Sequence, residues 1–313
     1  MTSGPPAHRS TSVARRRSAC RLLALSAVLA GCGGADSKSE PTLPVPPRRA
    51  TAGDRILGFA PAGAEAVLEI DLARLRRNRA VGPLVRAVTA SELARPDLIA
   101  TADLIVFCSY RIGESDSGQV VFAAGREVER LPGARVLDAD LVALGPPALL
   151  DRVDLVRAGA QPPLSSDSAL LRVRAMAMPD RAQGASLRMS ARLGFEGRLS
   201  LARELDLNAV PAWLSVWADV ADDLAAVALL AGEGAGEAHD LARAVERVRD
   251  RFARSLPARR LGLGRTAAAT KVEVRGEEVR VVLVVGPRRL AQLVDRVLAR
   301  LNAPVQAERE PTR

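Results

Sequence analysis

The chain has 313 residues, of which 48% are hydrophobic, 26% charged and only 3% aromatic. That much aliphatic material fills one large core or two small ones, which excludes a wholly disordered chain, and no uninterrupted run of 18 apolar residues exists, which excludes a bundle of membrane-spanning helices. The formal net charge of +9 is uneven: residues 1–31 carry Arg9, Arg15, Arg16, Arg17 and Arg21 and no acid, so the remainder is near balance, with 40 basic residues against 36 acidic.

In chain order, the first element is an N-terminal export signal. Arg15, Arg16, Arg17 and Arg21 make a positive start, and Leu22 to Ala30 form a nine-residue apolar stretch, too short to span a bilayer. The stretch ends Leu29-Ala30-Gly31-Cys32. These residues resemble the lipobox of bacterial lipoprotein precursors. The resemblance implies cleavage before Cys32, acylation of that cysteine and anchorage to a membrane, and Gly33 in place of the Asp common in proteins retained at the inner membrane points to the outer membrane. Each buried methylene contributes ~0.8 kcal/mol, so two or three acyl chains hold a protein on a bilayer essentially permanently. Residues 1–31 are thus expected to be the signal peptide, and the Gly-, Ser- and Pro-rich residues 32–54 a flexible tether.

A first α+β domain is expected over 55–160. Ala66 to Leu72 reads as a strand, followed by a helix from Arg74 to Val88 interrupted at Gly82-Pro83. Thr101 to Tyr110 is an apolar, central strand. Gln119 to Ala124, 134–138 and 140–144 are further strands, and Gly145-Pro146-Pro147 opens a helix to Arg157. The opening of this part, Phe59-Ala60-Pro61 through Leu75-Arg76, is similar to uncharacterised exported proteins of high-GC bacteria, myxobacteria especially, a resemblance that supports export and implies no activity.

A second α+β domain is expected over 161–303, with 304–313 a loose tail. Ser168 to Met178 reads as a helix capped by Ser165, Ser166 or Asp167. Leu187 to Leu193 alternates as a strand, and a Gly194–Gly197 turn returns it as a strand to Leu205. Trp213, Trp217, Val220, Leu224 and Val227 fall at helical spacing, with Asp222-Asp223 on the solvated side; Leu241, Val245, Val248 and Phe252 mark a second helix. A hairpin over Thr270 to Val285 turns at Gly276, and Gly286-Pro287 starts the last helix. Leu144-Gly145-Pro146 and Val285-Gly286-Pro287 form a weak internal repeat. The expected fold is therefore α+β, with antiparallel sheets, helices on one face and two halves of similar plan.

Catalytic and metal chemistry find little support. Once His8 leaves with the signal, His239 is the last histidine, and Cys108, within an apolar run, is expected to be a buried inert thiol. The glycines of Gly232–Gly236 lack dinucleotide spacing, and Gly262-Leu-Gly264-Arg-Thr-Ala267 leads into a strand where a dinucleotide loop needs a helix. The acids Glu114, Asp116, Asp138 and Asp140 read as turn chemistry, and no metal, cofactor or nucleic-acid partner is expected. Arginine enrichment with only Lys38 and Lys271 as lysines reads as a solvated surface. The resulting expectation is a non-enzymatic, lipid-anchored envelope protein that binds or scaffolds, its partners the membrane through Cys32 and an envelope protein. The alternative is a carrier holding an apolar ligand between sheet and helices, with Trp213, Trp217, Met176, Met178 and Met189 as liners; an envelope hydrolase ranks third.

Overall fold

The computed structural model describes residues 51–89, 95–179, 184–234 and 236–301. The signal peptide, the lipobox residues Leu29, Ala30, Gly31 and Cys32, most of the tether and the tail 304–313 lie outside the described residues.

In chain order the elements are α1 (Ala52–Leu57), β1 (Ala66–Asp71), α2 (Leu72–Arg77), α3 (Gly82–Thr89), α4 (Pro96–Thr101), β2 (Leu104–Tyr110), β3 (Gly118–Ala124), β4 (Arg135–Asp138), β5 (Leu141–Leu144) and α5 (Pro147–Arg157). They continue as α6 (Ser168–Met176), β6 (Leu187–Arg192), α7 (Phe195–Leu205), β7 (Trp213–Val220), β8 (Leu224–Ala231), α8 (Ala238–Arg254), α9 (Leu256–Leu261), α10 (Gly264–Ala268), β9 (Lys271–Arg275), β10 (Glu278–Val285) and α11 (Pro287–Leu301). Thr51 caps α1 with a capping box to Asp54, and Asp167 caps α6 by accepting from the Ala169 and Leu170 amides.

All ten strands form one antiparallel sheet in the order β4-β5-β3-β2-β1-β6-β7-β8-β10-β9. The order is a repeat. Outward from the centre, β1-β2-β3-β5-β4 on one side mirrors β6-β7-β8-β10-β9 on the other, and β1 pairs with β6 at the middle, from Ala66 opposite Ala191 to Ile70 opposite Leu187. The strands on either side of residue 160 thus share a single sheet. The repeat does not extend to the last helices. Val153 of α5 packs with Phe122 and Leu141, whereas Leu290 of α11 packs with Leu283 and Val285 and with Leu84 of α3, on the opposite face.

The α+β class and antiparallel pairing agree with the sequence, but helices cover both faces. In β2, Val106 and Cys108 join a cluster with Ile56 of α1 and Leu170 of α6, while Ile105 and Phe107 join Leu72 of α2 and Leu98 of α4 on the other side. Neighbouring strand residues point to opposite faces, so strands apolar at every position must be covered twice.

Two elements differ in type from the sequence expectation. Residues 198–205 belong to helix α7, because Gly194 ends the strand and Glu196 and Arg198 begin a helical turn beside the Glu65 carboxylate. Residues 213–227 form the β7–β8 hairpin and no helix: the helical stripe coincides with an alternation in which Leu214 and Val216 are buried on one face and Ser215 and Trp217 on the other. Asp222 and Asp223 accordingly lie in the hairpin turn and not on a helix face.

Candidate ligand cavity

On the face that carries α7 and α8, side chains fail to fill the space between sheet and helices, leaving a cavity of about 170 Å³. Its floor is built of Met189, Ala191, Leu214, Ala228, Leu230 and Val281, all from positions where the strands alternate inward. Alanines at 191 and 228 are the local cause of the void, since a larger side chain at either would occupy it. The walls are Leu241, Ala244, Val245 and Val248, one stripe of α8. The roof is Leu201 and Leu205 of α7, and polar side chains occur only as Ser200, Glu204, Arg249 and Thr270.

Helix α7 is lightly held. Gly197 is its only buried residue. Its N-terminus rests on Glu65, whose carboxylate accepts from the Ile112 amide at 2.7 Å and lies close under Gly194. Its C-terminus ends at Asp206 in the left-handed conformation, φ 54°, where Arg251 of α8 donates to the Leu205 carbonyl at 2.9 Å and to Asp206 at 3.3 Å. Arg247 of α8 donates to Asn208 just beyond, and Arg198 pairs with Glu233 at 2.8 Å. Polar contacts at the ends and little buried surface in the middle describe a lid.

Of the aromatic and sulfur side chains expected to line a ligand site, Met189 does so. Trp213 and Trp217 do not, because their β7 positions alternate to the face opposite the cavity, where the Trp217 indole donates to the Gly184 carbonyl at 2.9 Å. Met176 is 38% exposed at the end of α6, and Met178 accepts from Arg188. The helix α7 that roofs the cavity escaped sequence reasoning; its signal was the Leu201–Leu205 spacing, masked by the alternation of the strand before it.

The other sequence candidates are accounted for locally. Arg111 pairs with Glu114 at 2.5 Å and with Asp116; Asp140 pairs with Arg55 at 2.5 Å; Asp138 accepts from the Ala139 amide. Cys108 is fully buried, and burial pushes its thiol pKa up. His239 is exposed on α8. Gly264 begins the five-residue helix α10, and strand β9 follows at Lys271 as expected; α9 and not a strand precedes the glycines, so the dinucleotide pattern fails. Among the described residues no group of three His, Cys, Asp or Glu is placed to hold a metal, and no helix is long and apolar enough to cross a membrane.

No family model matches the chain, and no curated protein does. Among solved structures, crystal forms I and III of TP0453 are similar, each with a TM-score of 0.42 and 11% identity. They cover 77% and 76% of this chain, and in each case 96% of the other. A likeness that distant defines no family.

Proposed function

We propose that this is a lipid-anchored protein of the bacterial cell envelope, held at the outer membrane through Cys32, whose folded part binds the end of an apolar ligand without catalysis. The cavity under α7 is the observation that carries the binding half of this reading. Its size matches an aromatic ring or a short stretch of acyl chain: an apolar cavity of ~150 Å³ stays dry and takes up benzene. A group of that size buries on the order of 150 Å² and gains about 4 kcal/mol at ~25 cal/mol per Å², before the cost of association. Tight binding therefore needs a ligand that continues past Ser200 and Glu204 with α7 displaced. Among the described residues the large exposed apolar side chains Val136, Leu155, Met176, Phe195, Leu256 and Val284 lie on six separate elements, which favours a ligand in the cavity over a protein docked on an apolar patch.

The test uses N-phenyl-1-naphthylamine, whose emission rises in a dry site. Emission should rise with the wild-type chain, fall towards the free-dye value with Ala244→Phe, which fills the cavity, and rise further with Leu205→Ala, which enlarges it. Equal emission from all three would place the dye elsewhere and end the carrier reading. The anchor is tested separately: Cys32→Ala should release the protein from membranes and remove the acyl mass, and an unchanged membrane fraction and mature mass would refute it.

A further inference from the structure

Beyond the cavity, the fold gathers charge. Arginines distributed over four helices meet in one open groove of about 880 Å³: Arg254 at the end of α8, Arg259 on α9, Arg265 on α10, and Arg288, Arg289 and Arg296 on α11. No carboxylate of the described residues lines it. Among the described residues the sole ion pair of these six is Arg254 to Asp250 at 3.8 Å, and Asp250 lies nearer to Arg249, at 2.9 Å. Among the described residues the other five guanidinium groups have no acidic partner, although elsewhere arginines are paired repeatedly, as in Arg111 with Glu114 or Arg135 with Asp154.

Two backbone features bring the groups together. Gly262 ends α9 at φ 74°, a conformation that favours glycine, and the Arg296 guanidinium occupies the space a Cβ there would fill, 1.7 Å away, so the missing side chain makes room for Arg296 at the α9–α10 corner. Arg288 and Arg289 stand in the first turn of α11, which has no acid, at the end of a helix where cations are disfavoured. Folding alone gains nothing from this arrangement. A one-sign cleft concentrates anions, and planar guanidinium forks match phosphoryl oxygens.

We propose that this arginine groove binds the phosphoryl group of an anionic phospholipid headgroup. The surroundings favour a lipid over a free phosphate: Leu256, the first residue of α9, is 65% exposed and stands one helical turn before Arg259, on the same side of the helix. The site shares no lining residue with the cavity under α7, so it stands or falls independently of that reading and of acylation at Cys32.

The test is calorimetric titration of the full chain, in nonionic detergent, with dihexanoyl-phosphatidylglycerol, dihexanoyl-phosphatidylcholine and inorganic pyrophosphate. Phosphatidylglycerol should bind at least about tenfold more tightly than the acyl-matched phosphatidylcholine. Arg265→Gln/Arg289→Gln/Arg296→Gln should abolish that preference. Arg130→Gln/Arg243→Gln/Arg275→Gln, which removes the same charge from exposed positions, should retain it. Equal loss in both triple variants, or no preference in the wild type, overturns the site. Groove-dependent binding of pyrophosphate without binding of phosphatidylglycerol overturns the lipid as its source. Ala244→Phe, which blocks the cavity, should leave the preference intact, so a failure of the carrier reading is read separately.

Discussion

Arg174 of α6 donates from Nε and Nη2 to both carboxylate oxygens of Glu69 on β1, at 2.5 and 2.9 Å, across the seam where the two halves of the sheet meet. Arg174 also reaches Asp54 of α1 at 2.5 Å. Burial disfavours the cation, but hydrogen bonding and charge from Glu69 and Asp54 outweigh it and raise its pKa. A second clamp lies at the C-terminal end of β1: Arg74 of α2 donates to both oxygens of Asp219 on β7, at 2.6 and 2.5 Å, and Ser186 donates to the same carboxylate at 2.7 Å. Each half therefore holds the other by a forked arginine.

Breaking the buried clamp from one side should cost more than removing it. Glu69→Gln leaves Arg174 facing a neutral amide with only Asp54 as counter-charge, and an uncompensated buried charge typically costs about 3–5 kcal/mol. Glu69→Leu with Arg174→Met exchanges the pair for apolar volume, and the expected loss is about 1 kcal/mol or less. Urea unfolding of the two variants checks this ordering; a double variant less stable than Glu69→Gln would contradict it.

The Asp219 clamp predicts a sensitivity to acid. Burial raises the Asp219 pKa, but the hydrogen bonds from Arg74 and Ser186 outweigh it, so the carboxyl titrates below its ordinary value; Asp54 is lowered likewise, burial being outweighed by Thr51 and Arg174. A carboxyl whose folded pKa lies below the unfolded one stabilises the fold above the unfolded value, about 3.9, and that stabilisation is lost as pH falls through the folded value. Stability should be level from about pH 5 to 8 and fall below about pH 4. Asp219→Asn should lower the plateau and make the acid fall shallower; an unchanged slope would mean that other carboxyls carry it.

Gly113 couples the β2–β3 turn to the lid. It adopts φ 88°, and a Cβ there would lie 2.5 Å from the Glu196 carbonyl oxygen in the first turn of α7. Gly113→Ala combines a left-handed backbone with a clash against backbone, an expected loss of about 1–2 kcal/mol. The strain should be relieved locally, by α7 moving away. Hydrogen exchange should accelerate over 195–205 and remain unchanged over 118–124. Uniform acceleration would show that α7 does not open on its own.

Strand-rich segments with one apolar face, such as β6, and helices bounded by proline or a cap, such as α5 and α6, were legible in the sequence because local chemistry decides them. The β7–β8 hairpin was not. Its residues satisfy helical and alternating spacing alike, and pairing with β6 and β10, distant in sequence, selects between them. For the same reason Trp213 and Trp217 looked like liners when Met189, Ala191 and Ala228 are the residues at the cavity. Where a side chain is small enough to leave a void depends on what the opposing helix fails to supply, and that is set by packing. The arginine groove was equally hidden. Composition showed an excess of arginine, but only the fold brings Arg259, Arg265 and Arg296 together from three helices.

A sheet continuous through β1 and β6, clamped twice across that seam, should unfold as one unit despite its repeat. The chain supplies its own probes: Tyr110, the single tyrosine, lies on β2 in the first half, and the two tryptophans, Trp213 and Trp217, lie on β7 in the second. Tyr110 is buried with its hydroxyl donating to the Pro61 carbonyl at 2.9 Å, so it reports the packing of α1 on the first half. Unfolding followed by tyrosine absorbance and by tryptophan emission should give coincident urea transitions, as expected for a cooperative domain. In Glu69→Gln with Asp219→Asn, which removes one carboxylate from each clamp but leaves Arg174 with Asp54 and the Asn78 hydrogen bonds to the Val220 and Ala221 carbonyls, the two transitions should separate. Separate transitions in the wild-type chain would mean that the seam does not couple the halves and that the clamps act only within their own surroundings.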